Sequence, residues 1–154
     1  VPARYFEATS VHAGSDTRTA QQPARLEGYD VLLVEDQMLV ALEIERMLRE
    51  RGAAKVTSVG SIEAAMERLK LAPPDVAVLD VDLGHETSFA LAHLLLKIGV
   101  PFVFMANAAE RSIIPSEFHD IGVSRKPCAA DDLADTIRQA LLPYLIRAVL
   151  GKPD

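Results

Sequence analysis

Three uninterrupted apolar runs, Val31-Leu32-Leu33-Val34, Val76-Ala77-Val78-Leu79 and Phe102-Val103-Phe104-Met105, punctuate the chain, and the stretches between them carry apolar residues at helical spacing. Short runs without polar alternation predict strands buried on both faces. After the first run, Met38, Leu39, Leu42, Ile44, Met47 and Leu48 recur at helical spacing and predict a helix, which Gly52 ends. A short strand is predicted over 55–59. Ser61 then caps a helix whose inner face is Ile62, Ala65, Met66 and Leu69, and Pro73-Pro74 stops it. The stretch over 88–97 predicts a helix lined by Phe89, Leu91, Ala92, Leu95 and Leu96, with Gly99 and Pro101 before the third apolar run. Pro115 restricts the next helix to a short piece near 116–119, where mobility is expected. A brief strand over 123–125 leads to a last helix capped by Asp131 or Asp132, with Leu133, Ile137 and Leu141 inward and a kink or restart at Pro143.

Five such strand-helix alternations predict an α/β fold, a doubly wound five-stranded parallel sheet of order 2-1-3-4-5, flavodoxin-like and forming a single domain over 29–150. Residues 1–28 lack sustained periodicity, are rich in Ser, Thr, Gln, Ala and Gly, and are read as an arm or linker. A length of 154 residues, 49% hydrophobic and 25% charged, suits a domain with a sizeable core. The net charge of −6 argues against nucleic acid or anionic membrane as a main partner, since both need a basic face. No apolar run reaches membrane-spanning length, and Cys128, the single cysteine, allows no internal disulfide, so a cytoplasmic location is expected.

In the predicted topology the ligand crevice lies at the carboxyl ends of the first and third strands, where Glu35, Asp36 and Asp80 fall. Clustered carboxylates suit a hard divalent cation and offer a nucleophilic oxygen. Lys126, at the tail of the fifth strand, adds a compact positive charge on a flexible stem. Phosphoryl transfer between two anionic groups needs that combination, because positioning and charge neutralisation carry most of the catalysis. Asp36 alone would read as a helix cap, but a cap explains neither the adjacent Glu35 nor the acid after the third strand. His85 and Glu86 read as solvated loop residues, and Cys128 as a small packed one.

The segments VLLVEDQ, VAVLDVDLG and SRKP, in this order and spacing, resemble the receiver domain of two-component response regulators over roughly residues 30–142. GVPFVFM is most similar to receivers attached to, or working with, sensor histidine kinases of stress- and light-sensing systems. The resemblance implies that Asp80 accepts a phosphoryl group from a kinase or phosphotransfer-protein phosphohistidine. It implies Mg2+ held by Asp36 and Asp80, help from Glu35 through water, coordination by the Asp82 carbonyl, and Lys126 paired with the phosphoryl oxygen. It also implies a commonly cis Lys126-Pro127 bond and a signalling role rather than an enzymatic one.

Two positions depart from the family pattern. Ala106 stands where receivers carry a Ser or Thr whose hydroxyl binds the phosphoryl group, and Val123 replaces the aromatic switch residue. A hydrogen bond to a charged group contributes about 1.5–3 kcal/mol, so the usual shape change is expected to be weakened or rerouted. With no output domain read after Leu150, a phosphate sink, a relay step or a regulator of the kinase is expected. The competing readings are a phosphate-free interaction module, with residues 144–150 as a homodimer or kinase contact, and a hydrolase resembling haloacid-dehalogenase-like phosphatases through Asp80-Val81-Asp82. The hydrolase pattern normally sits on the first strand and has Thr or Val where this chain has Gly84. FMN binding fits the topology, but Glu35 and Asp36 would repel its phosphate. Restoring the hydroxyl with Ala106→Thr is expected to enlarge the response to a phosphoryl mimic, seen as larger amide shifts over 107–119; equal shifts in variant and parent contradict the switch argument.

Overall fold

A computed structural model describes residues 25–151. Five parallel strands, β1 (Asp30–Val34), β2 (Lys55–Val59), β3 (Val76–Asp80), β4 (Phe102–Ala106) and β5 (Val123–Arg125), form one sheet in the order β2-β1-β3-β4-β5. Helices α1 (Met38–Glu50), α2 (Ile62–Leu71), α3 (Phe89–Ile98), α4 (Ala108–Ser112) and α5 (Ala130–Leu150) follow the strands in turn. The predicted fold class and strand order are those observed.

Side chains of the apolar strands divide by the two-residue period of the backbone. Val31, Leu33, Val76, Val78, Val103 and Met105 pack on one side with Ala41, Ile44 and Leu48 of α1 and Leu133, Ile137 and Leu141 of α5. Leu32, Val34, Ala77, Leu79, Phe102 and Phe104 face the other side, toward Ala65 of α2 and Leu91, Ala92 and Leu95 of α3. Both faces are therefore covered, which is why the runs contain no polar alternation.

The first helix forms as its apolar spacing predicts, and its buried face is a narrow one. Its buried positions are Ala41, Ile44 and Leu48, whereas Met38 is 74% exposed, Leu39 78% and Leu42 54%. A helix repeats every 3.6 residues, so the stripe through Ile44 and Leu48 runs back to Ala41 and leaves the larger side chains outside. On α2 only Ala65 is fully buried, and Met66 of α2 and Leu96 of α3 are more exposed than their inner-face assignment implies.

Elsewhere local chemistry sets the ends of the elements. Ser61 Oγ accepts from Ala64 N, as the capping pattern predicts. The last helix begins at Ala130 after Ala129, so Asp131 and Asp132 lie inside its first turn and favour the helix dipole instead of capping it. Pro143 does not restart α5, which continues to Leu150 as one element. The segment after β4 holds two short helical pieces, α4 and a 3-10 turn over Ser116–Phe118, where only the second was expected. Leu26, within the stretch read as an arm, is fully buried, and residues 1–24 lie outside the described residues.

Phe118 projects from the 3-10 turn into an aromatic group, with ring centroids 5.7 Å from Phe104, 6.2 Å from Phe102 and 4.9 Å from His93. This contact anchors the segment between β4 and β5 to the core. Phe118→Ala is expected to cost about 3–5 kcal/mol of unfolding free energy, read as a lower denaturant midpoint with unchanged slope; a loss below about 1 kcal/mol would show that the segment is not anchored there.

Candidate phosphoacceptor and cation site

The pairing of β1 with β3 sets Val34 beside Leu79, so Glu35, just past β1, and Asp80, the last residue of β3, come side by side at the strand ends. Glu35 N donates to Val59 O, which extends the β1 backbone onto β2 and holds the first acid at the strand end. One carboxylate oxygen from each of Glu35, Asp36 and Asp80 can be chosen so that the three lie within 4.8 Å of one another. Glu35 and Asp80 are buried, and Asp36 is exposed at the rim.

Lys126, on the loop after β5, completes the group. Its Nζ lies 2.5 Å from Asp80 Oδ1, with the lysine side chain 27% exposed and that of Asp80 only 4%. Asp82 N also donates to Asp80 Oδ1 at 3.1 Å. The Lys126-Pro127 bond is cis, as the resemblance implies. Gly84, with φ +85°, turns the β3–α3 loop close to the acids: a Cβ there would sit 3.1 Å from Asp36 Oδ2.

Asp82 stands apart from the cluster through its side chain. Its Oδ1 accepts from Gly84 N at 2.8 Å, so the carboxylate closes the loop's own turn. Glu86, read as solvated, accepts from Ile62 N at 3.2 Å and ties the same loop to the start of α2. Cys128 packs beside the first core cluster, and burial pushes its thiol up, away from nucleophilic reactivity.

The residue that the sequence reading passed over is Glu110 in α4. Its Oε1 lies 3.0 Å from Lys126 Nζ and also accepts from Asn107 N at 2.9 Å, while Asn107 Oδ1 accepts from Glu110 N at 2.8 Å. This reciprocal pair is a capping box, and the spacing Asn107-x-x-Glu110 was the signal that could have revealed both the helix and the acid.

The balance of charge is uneven, since one ammonium faces Asp80, Glu110 and the other acids. Burial and the neighbouring Asp80 carboxylate push Glu35 up to about 8. Burial alone would lower Lys126, but its bonds to Asp80 and Glu110 outweigh that and raise it. Glu35 Oε2 has no hydrogen-bond partner among the described residues. An unpartnered buried oxygen on a residue whose carboxylate clusters with two others fits a hard divalent cation better than a closed ion-pair network does.

A carboxyl group raised on folding takes up protons as the chain folds, so it contributes stability below its unfolded value and loses that contribution as pH rises through the folded one. Metal-free protein is therefore expected to lose thermal stability between about pH 4.5 and about pH 8. Glu35→Gln should flatten this part of the profile and raise the melting temperature at pH 8; an identical slope in variant and parent contradicts the assignment to Glu35.

The model of the response regulator receiver domain matches residues 31–138. The chain is 28% identical over 115 residues to the transcriptional regulatory protein PdtaR of Mycobacterium tuberculosis, covering 72% of this chain and 56% of that protein. It is 28% identical over 112 residues to the sensory transduction protein LytT of Bacillus subtilis, covering 71% and 46% respectively. The chain thus spans about half the length of the curated relatives it matches. Among solved structures, SdrG from Sphingomonas melonis Fr1 is similar at 31% identity and TM-score 0.62, covering 74% of this chain and 96% of that one. The response regulator PhyR from Brucella abortus shares the fold at TM-score 0.69 and 22% identity, covering 82% and 53%. With its strand order, its acidic strand ends and these matches, the chain belongs to the response regulator receiver domain family.

Proposed function

We propose that the chain takes a phosphoryl group onto Asp80 from the phosphohistidine of a sensor histidine kinase or phosphotransfer protein. The observation that carries this reading is the convergence of Glu35, Asp36 and Asp80 with the Lys126 amine set against the same Asp80. In the transfer an Asp80 oxygen attacks phosphorus, the P–N bond breaks, and its electron pair returns to the imidazole. Asp36 and Asp80 would hold Mg2+, with help from Glu35 and from the Asp82 backbone carbonyl. When bound, Mg2+ supplies the positive charge that lets two anionic groups meet. Lys126 pairs with the phosphoryl oxygen after transfer. The burial of Asp80 keeps most bulk water from the new acyl phosphate.

The partner surface lies close by. Met38, Leu39 and Leu42 present exposed apolar area on the first turns of α1, immediately after Asp36. Such area beside an acidic pocket suits a helical donor that delivers its histidine with apolar neighbours. Tyr144, Ile146, Val149 and Leu150 expose a second apolar strip on α5, which we assign to a homodimer or kinase contact. The domain acts as a phosphoacceptor in a relay or in kinase regulation, not as a turnover catalyst.

Ala106, 2% exposed and without a hydroxyl at the end of β4, favours one second reading, an interaction module that never takes phosphate. Labelling with a phosphorylated kinase or acetyl phosphate in Mg2+ separates the two. The parent is expected to incorporate phosphate and Asp80→Asn to fall to background; continued labelling of the variant removes Asp80 as acceptor, and an unlabelled parent supports the module.

A further inference from the structure

The hydroxyl that would couple Asp80 to the segment after β4 is missing, yet an ionic connection runs between the same two places. Lys126 Nζ contacts Asp80 Oδ1 at 2.5 Å and Glu110 Oε1 at 3.0 Å. The Glu110 side chain is only 13% exposed, so this contact is poorly screened by water. The same Glu110 oxygen accepts from Asn107 N, which is the residue directly after Ala106. One amine thus joins the acceptor carboxylate to the cap of α4.

The helix held by this cap is short. It has five residues, none of them buried, and a helix of that length has little stability of its own in water. Its entry is fixed by the two capping-box bonds and by the pull of Lys126 on Glu110. From α4 the chain runs through Ile114 and Pro115 to the Phe118 anchor, so loosening is confined between a fixed strand and a fixed aromatic group.

We propose that Glu110 is the element through which this receiver reports phosphorylation, its carboxylate being released from Lys126 when a phosphoryl group on Asp80 claims the amine. The inference rests on Asp80 being the phosphoacceptor. A phosphoryl group brings more negative charge and more acceptor oxygens than the carboxylate it replaces, so Lys126 moves its bonds toward it. Glu110 then faces added negative charge without its counter-ion, and the α4 entry opens. Ala106 permits this because its methyl group offers the phosphoryl group no competing hydroxyl.

Beryllofluoride with Mg2+ mimics the phosphoryl group, and fluorine NMR reports its binding independently of any movement of α4. Amide exchange at Asn107, Glu110 and Arg111 reports the movement. In the parent, beryllofluoride is expected to speed exchange at these amides about tenfold or more, which corresponds to about 1.4 kcal/mol. Glu110→Gln keeps a side-chain acceptor for the capping box but removes the charge. That variant is expected to show the same bound fluorine signal with less than about twofold change in exchange, a difference within roughly 0.4 kcal/mol. Glu110→Ala, which loses cap and charge together, should exchange rapidly with or without the mimic. A Glu110→Gln variant that binds the mimic and opens as fully as the parent overturns the proposal while leaving Asp80 as acceptor. Absence of a bound fluorine signal in the parent overturns the phosphoacceptor reading and this inference together.

Discussion

Carboxylates repel one another, and the site exists because a parallel sheet with a fully apolar interior holds two of them at adjacent strand ends. The β1–β3 register brings Glu35 alongside Asp80, and the buried faces of both strands leave no room to relax that approach. The cost is visible in the protonation of Glu35, pushed up to about 8 by burial and by Asp80. Lys126 offsets part of the repulsion from the end of β5, but it is one charge among several acids. The unpartnered Glu35 oxygen marks what the protein side chains leave uncompensated.

Much of this was legible in the sequence because buried parallel strands are written as continuous apolar runs. Three such runs, and acids or a lysine at the strand exits, fix the topology and the ends that matter. The inner face of α1 was harder to read. Met38, Leu39 and Leu42 satisfy helical spacing as well as Ala41 and Ile44 do, and apolar periodicity cannot tell a core stripe from an outward one when both faces of a helix carry large apolar side chains. The buried stripe is the one through Ala41, Ile44 and Leu48, which pack with Val31, Leu33 and Val56.

Glu110 was missed for a different reason. Its role depends on a tertiary meeting with Lys126, 16 residues away in sequence, and on a one-turn helix too short to leave a periodic pattern. The resemblance assigns Asp82 to coordination through its backbone carbonyl alone, and its side chain is indeed taken up elsewhere, by the turn at Gly84. Local sequence identifies the types of group available at a site. Which atom faces the pocket is set by loop hydrogen bonds that no pairwise pattern records.

The proposed phosphoacceptor chemistry needs Glu35, Asp36 and Asp80, whose carboxylate oxygens come within 4.8 Å of one another, to take up a single cation. Isothermal titration of Mg2+ into the chain tests it most directly. Saturable one-to-one binding that is lost in Asp36→Asn, with the variant's circular dichroism unchanged, is the predicted result. Equal Mg2+ affinity in parent and Asp36→Asn, or no saturable binding in the folded parent, would contradict it.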